Sequence, residues 1–318
     1  MGISGIIVAN MISAGLLLNI IVGSKTRLAL RTPENQVSLA LLLVCIVGCF
    51  AESMAWVLDG RGGPVCYWLN LLVNTYLFLG NLLVSFFWLA FLDLHFYYDR
   101  NRTREKLRIP AVLYLILALI LLVNFRYPIV FRINENNQYE RMPFGTLYFI
   151  SAALVILCSL KIARDYRKKK GKQRFMFVGL FMVPVALACL VQFLFYGYSV
   201  MWAGVAVGLA GATLALHNEN AYQDSLTGLL NRTYLDYYLA RAAQKKNPVI
   251  CGIMIDADDF KSINDNFGHS EGDEALKNIA RILKASLGKE EIAFRYAGDE
   301  FIVLNDTGSA ELLEDYCR

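Results

Sequence analysis

The chain has 318 residues, 56% of them apolar, with 31 Lys+Arg against 27 Asp+Glu and a mean hydropathy of +0.42. That apolar share exceeds what a soluble globular domain carries, so a single water-soluble domain is excluded. The charge is uneven: 20 Lys+Arg face 9 Asp+Glu through residue 216, and 11 face 18 beyond it. The net +4 therefore joins two regions of opposite sign and gives no ground for nucleic-acid binding.

A hydrocarbon core of about 30 Å takes about 20 helical residues to cross. Apolar runs of that order predict seven spans: Ile3 to Val22, Gln36 to Leu58, Val65 to Leu92, Ile109 to Asn124, Phe144 to Ile162, Phe175 to Gly197 and Val200 to Leu216. The fourth, interrupted by Pro110 and ended by Asn124, is the shortest; without it the count is six and both ends fall on one side. With seven spans, the loops expected on the inner face hold sixteen Lys and Arg and the outer loops only Arg61, Arg126, Arg132 and Arg141. The positive-inside rule then puts the N-terminus outside and residues from 218 onward in the cytoplasm.

The basic run at 161–174 is explained by this topology without a lipid or nucleic-acid patch. The first run lacks a basic leader and a small-residue cleavage site, and reads as a retained helix. Glu52 is an ionisable group inside a span and so a functional candidate, although its position near Asp59 and Arg61 would also let it reach interfacial water. Asn70, Asn74 and Asn81 share a helix face and predict an interhelical hydrogen-bonded seam. Seven cysteines follow no paired spacing, so neither a disulfide framework nor a zinc site is expected.

In the last hundred residues, Asn231 is placed to cap a helix from Arg232 to Lys246. Val249 to Ile255 is an apolar run that reads as a strand buried on both faces and ends at Asp256. Glu271 to Ser286 carries a helical apolar stripe stopped by Gly288. Ile292 to Tyr296 and Phe301 to Leu304 flank Ala297-Gly298-Asp299-Glu300 as a hairpin with an acidic turn, which makes three strands. Asp256 and Asp299 thus end separate strands at one sheet edge, where two carboxylates can hold a hard cation that also binds substrate phosphates. That is the layout of phosphoryl and nucleotidyl transfer, and Gly298 lets backbone approach a phosphate closely.

The ordered segments DSLTGLLNR, DADDFKSINDNFGHSEGD and RYAGDEF resemble the GGDEF family of diguanylate cyclases over about the last hundred residues. The resemblance implies an α/β nucleotidyl-cyclase, palm-like domain (218–318), following the all-α transmembrane helix bundle (1–217) that the apolar runs predict. It implies condensation of two GTP into cyclic di-GMP and two pyrophosphates by facing domains of a homodimer, with Mg2+ or Mn2+. Carried over, Asp256, the Ala257 carbonyl, Asp299 and Glu300 hold metal, and Gly298, Asp299 and Glu300 form the catalytic turn. Asn264 and Asp273 read guanine, and Phe260 and Lys261 line the phosphates. As plain structure, Asn264 would sit in a loop turn and Asp273 would cap a helix.

Three departures stand out. Ala297 replaces the family's usual glycine, a change expected to be tolerated where φ is below zero. The upstream Arg-x-x-Asp of the product-inhibition site is replaced by Gly288-Lys289-Glu290-Glu291, so feedback inhibition through that site is not expected. The chain reaches Arg318 soon after the hairpin, where the family continues, so an incomplete domain is expected. The reading is then a cyclase of the bacterial inner membrane, governed by a bundle that responds to an unknown sensory ligand or to the lipid bilayer, with no nucleic-acid partner. The alternative is a non-catalytic receptor or GTP-binding scaffold. A transporter ranks third for want of internal symmetry.

Overall fold

The computed structural model describes residues 2–24, 32–170, 178–195, 199–244, 250–288 and 291–305. They divide into two compact units, the described residues up to 214 and those from 215 onward.

The first unit is helical: α1 Ile3–Gly23, α2 Pro33–Leu58, α3 Pro64–Tyr97, α4 Arg100–Lys106, α5 Arg108–Asn124, α6 Thr146–Lys170, α7 Val178–Leu194 and α8 Met201–Ala221, which crosses the boundary at 214. A hairpin of β1 Phe131–Ile133 and β2 Tyr139–Arg141 stands between α5 and α6. Start signals are local. Thr32 accepts a hydrogen bond from the Asn35 amide at 3.2 Å ahead of Pro33, and Asp99 accepts from the amides of Asn101 and Arg102.

Among the described residues four helical stretches are long and apolar enough to cross a membrane: α1, α2, α3 and Pro143–Tyr166. The pair α4 and α5, bent by 51°, makes a fifth if counted as one span. The described parts of the seven expected runs are largely helical, but the fourth passes only as part of the bent pair and the last two fall short. The apolar part of α7 covers only Val178–Gln192, and α8 ends in the polar His217 and Asn218.

α3 packs against α2, α5 and α6. Near the hairpin, Phe78 stacks on Phe131 with centroids 5.5 Å apart and meets Tyr148 edge-on at 4.9 Å. Asn124 ties the end of α5 to β1, donating to the Phe131 carbonyl at 2.9 Å and accepting from the Val130 amide at 2.8 Å. The two loops assigned to one face by charge are joined: Asn137 donates to the carbonyls of Leu58 and Arg61, and the Tyr139 amide donates to Asp59. The asparagine seam differs from expectation. Asn74 donates to Asn70, and Asn70 donates to Asn137 at the hairpin turn rather than to a neighbouring helix, because that turn folds back over α3.

The second unit holds β3 Leu230–Asn231, α9 Arg232–Ala242, β4 Cys251–Asp256, α10 Phe260–Phe267, α11 His269–Ser286, β5 Glu291–Ala297 and β6 Glu300–Asn305. The sheet order is β3-β5-β6-β4, with β3 parallel to β5 and the other pairs antiparallel. One face packs Ala293, Phe301 and Val303 with Leu276, Ala280 and Leu283 of α11. The other packs Phe294 and Leu304 with Tyr234 and Leu235 of α9.

Four strands replace the expected three, because β3 is a two-residue parallel pair that no local pattern announces. Among the described residues β4 lies at the edge of the sheet, and its burial alternates instead of being complete: Met254 is 58% exposed while Ile253 and Ile255 pack on the core. The expected cap is present, with Asn231 accepting from the Tyr234 amide at 3.1 Å. Residues 245–249, which include the end of the expected first helix and Val249, lie outside the described set.

Candidate active site

Two acidic clusters meet at one edge of the sheet. Antiparallel pairing of β4 and β6 sets Asp256 directly opposite Glu300, and the Ala257 amide donates to the Asp299 carbonyl at 3.3 Å. The turn between β5 and β6 is Gly298-Asp299, with Gly298 at φ 39°. The register shifts between Arg295 and Ala297, and such a bulge re-aims the strand end. Ala297 is outside the positive-φ region, so the methyl that replaces a hydrogen there meets the expected condition.

Directly opposed residues on an antiparallel pair share a face, and like charges there cost roughly 0.2 to 1 kcal/mol. Asp256 and Glu300 are such a pair. A divalent cation removes that repulsion, and the donors available are all oxygen: three carboxylates and the Ala257 carbonyl, which accepts only from the Phe260 amide at 3.3 Å and keeps a second lone pair. Hard oxygen donors suit magnesium or manganese, so the residues fit the implied metal. Among the described residues no three of His, Cys, Asp or Glu converge closely enough to hold an ion by themselves.

Two features hold this edge and were not legible in the sequence. Arg295 of β5 donates through Nε to the Gly298 carbonyl at 2.8 Å and through Nη1 to Asp224 at 3.0 Å. Asp224 also accepts from the Thr227 amide and hydroxyl at 2.8 and 2.6 Å. Partial burial pushes the Asp224 carboxyl upward, but the bonds from Thr227 and the Arg295 guanidinium outweigh it and hold it below the ordinary aspartate value. Lys284 of α11 donates to the Thr227 carbonyl at 3.0 Å, so the 224–229 turn is pinned from two elements.

Asn264 and Asp273 sit on the helical hairpin of α10 and α11, joined at Gly268, whose φ of 90° only glycine adopts readily. A side chain at Gly272 would strike the Asn264 carboxamide and approach Phe260. The close approach of the two helices therefore brings Asn264 beside the turn that carries Asp273. Neither residue takes its plain structural role: Asn264 lies within α10, and Asp273 lies inside α11, whose N-cap is Gly268. Lys261 is exposed, free to approach an anion. Phe260 is partly buried and packs against the core cluster.

The sequence of the second unit has counterparts among known proteins. Residues 221–316 match the family described as diguanylate cyclase, GGDEF domain. The diguanylate cyclase DgcM of Escherichia coli is 41% identical over 88 residues, covering 26% of this chain and 21% of that protein. The response regulator PleD of Caulobacter vibrioides is 43% identical over 100 residues, covering 30% of this chain and 22% of that protein. The crystal structure of the coiled coil and GGDEF domain of DgcB from Caulobacter crescentus in complex with c-di-GMP shares 30% identity, covering 33% of this chain and 56% of that chain at a TM-score of 0.31. The chain spans about a fifth of the length of these two curated relatives. Residues 221–316 are a GGDEF domain with diguanylate cyclase homologues, carried on one chain with a region of several apolar helices.

Proposed function

We propose that this chain is a membrane-bound diguanylate cyclase that condenses two GTP into cyclic di-GMP and two pyrophosphates, with its helical unit governing the reaction. The observation that carries the reading is the cross-strand pair Asp256 and Glu300 beside the Asp299 turn, tied by the bond from the Ala257 amide. Asp256, Asp299, Glu300 and the Ala257 carbonyl would hold Mg2+ or Mn2+. When bound, the metal supplies charge neutralisation on the departing pyrophosphate and a lower pKa for the attacking hydroxyl.

The protein's own groups do the rest. Gly298, without a side chain, admits the triphosphate to the turn. Arg295 holds the Gly298 carbonyl and so fixes the turn that presents Asp299. Asp273 accepts from the guanine N1 and N2 donors and Asn264 both donates and accepts, which selects guanine over adenine. Lys261 lies beside the phosphates with Phe260 beneath the loop. One such domain holds one GTP, so the reaction needs a second copy facing the first, and the catalytic unit is a homodimer. The domain faces the cytoplasm, where GTP is available.

The scaffold alternative drew support from Ala297, and the φ at that position weakens it. The deciding experiment is detection of cyclic di-GMP by mass spectrometry from the purified chain in lipid with GTP and magnesium. Product that disappears with Asp299→Asn supports the reading, whereas signalling that survives Asp299→Asn supports a scaffold.

A further inference from the structure

Glu52 of α2 is 4% exposed, inside a helix judged able to cross a membrane. It accepts from Asn10 Nδ2 of α1 at 3.0 Å on one oxygen and from the Ser199 hydroxyl on the other. Both partners are neutral, and among the described residues no Lys, Arg or His pairs with it. A buried carboxylate without a counter-cation is costly, and more so in a membrane.

Glu52 lines a cavity of about 220 Å3 that extends to Asp59, Tyr139 and Arg141 where the hairpin packs. The cavity is rich in acceptors. Gln192 is among the lining residues, and it and Asn10, beside Glu52, each hold a buried side-chain oxygen with no partner among the described residues. Unsatisfied buried acceptors call for an explanation, and a ligand with N–H donors is one. The walls include the rings of Trp56, Trp202 and Tyr148, and aromatic faces attract organic cations. The volume is below the roughly 300–1,000 Å3 of drug-sized clefts, which limits the ligand to a small molecule.

We infer that this cavity is the binding site of a small organic ammonium, its N–H groups donating to Glu52 and Gln192 and its carbon skeleton lying against the tryptophans. The inference rests on the reading of the helical unit as the governing one, and it names the class of stimulus. Ser199 and Trp202 stand at the start of α8, so occupancy at Glu52 acts on the helix that continues along the chain into the second unit.

The test uses the full chain in lipid nanodiscs. All four tryptophans belong to the helical unit, so tryptophan fluorescence reads this unit alone. Ethanolamine, phenethylamine and butane-1,4-diamine are titrated, each against its hydroxyl counterpart. At least one amine is expected to give a saturable change that its alcohol does not reproduce. Glu52→Gln is expected to weaken that amine at least tenfold, and Gln192→Leu severalfold. Saturable binding by no amine, equal binding of the alcohol, or unchanged affinity in folded Glu52→Gln overturns the inference. Should Glu52→Gln fail to fold, the amine and alcohol comparison on the unaltered chain and the Gln192→Leu variant decide it. Cyclic di-GMP is measured in parallel: amine binding without product removes the catalytic reading alone, and product without amine binding removes this inference alone.

Discussion

The two units solve opposite problems with the same residue types. In the helical unit large apolar side chains face outward, Leu157 at 63% exposure and Ile109 at 74%, while Asn70, Asp93 and Glu52 are buried. In the second unit Phe294, Phe301 and Val303 are wholly buried and the acids stand at the sheet edge. Burial driven by water explains the second arrangement. The first is stable where the surroundings are hydrocarbon, with polar groups satisfied internally. The contrast teaches that exposure means different things in the two halves, and substitutions should show it.

The largest effect is expected at the acidic edge. Asp299→Asn should lower cyclic di-GMP formation by about a hundredfold or more, on the order of the loss when a preorganised electrostatic group is removed. Its melting temperature should stay near that of the unaltered chain, since the residue sits in a partly exposed turn. Product assays beside thermal melts check both halves of that statement.

The contrast itself is tested by a matched pair. Leu157→Arg, in the middle of a candidate span, should cost about 2.5 to 3.5 kcal/mol of membrane insertion. Ile282→Lys on α11, at 61% exposure, should shift stability by no more than about 0.5 kcal/mol. Insertion assays and melts of each variant decide; a tolerated Leu157→Arg would break the membrane reading.

Gly272→Ala should destabilise the second unit by about 1 to 3 kcal/mol through overpacking against Asn264. It should weaken GTP binding at the same time, which equilibrium dialysis would detect. Asp224→Ala should cost roughly 1 to 2 kcal/mol through lost hydrogen bonds. Because the folded Asp224 carboxyl sits below its ordinary value, its contribution is present above that ordinary value and is lost as pH falls through the depressed one. Melts at descending pH should show the gap between Asp224→Ala and the unaltered chain closing in that acidic window. The smallest effect is a rise in stability on adding magnesium, up to about 1 kcal/mol from relieved repulsion between Asp256 and Glu300. Glu300→Gln should blunt that rise.

What could be read from the residues follows the range of the interactions. The apolar runs, the Asn231 cap and the acidic strand ends are set by neighbours in sequence; the cap and the strand ends appear where expected, and the described parts of the runs are largely helical, though not all are long enough to span. β3 was missed because Leu230 pairs with Phe294, far along the chain, in a strand too short to carry a pattern. β4 was misread because an apolar run does not tell a central strand from an edge. The acids, Asn264 and Asp273 belong to motifs of neighbouring residues, whereas the Arg295 to Asp224 link joins residues 71 apart and needs the fold to be seen. Glu52 stood out as costly; its partners on α1 and before α8 did not.

Trp202 lies where a side chain on either Gly48 of α2 or Gly80 of α3 would press on its indole. Two missing methyl groups thus form a keyway for the first residues of α8. Restoring one methyl at either position would displace an indole that also walls the cavity, so the start of α8 and the shape of the cavity would change together.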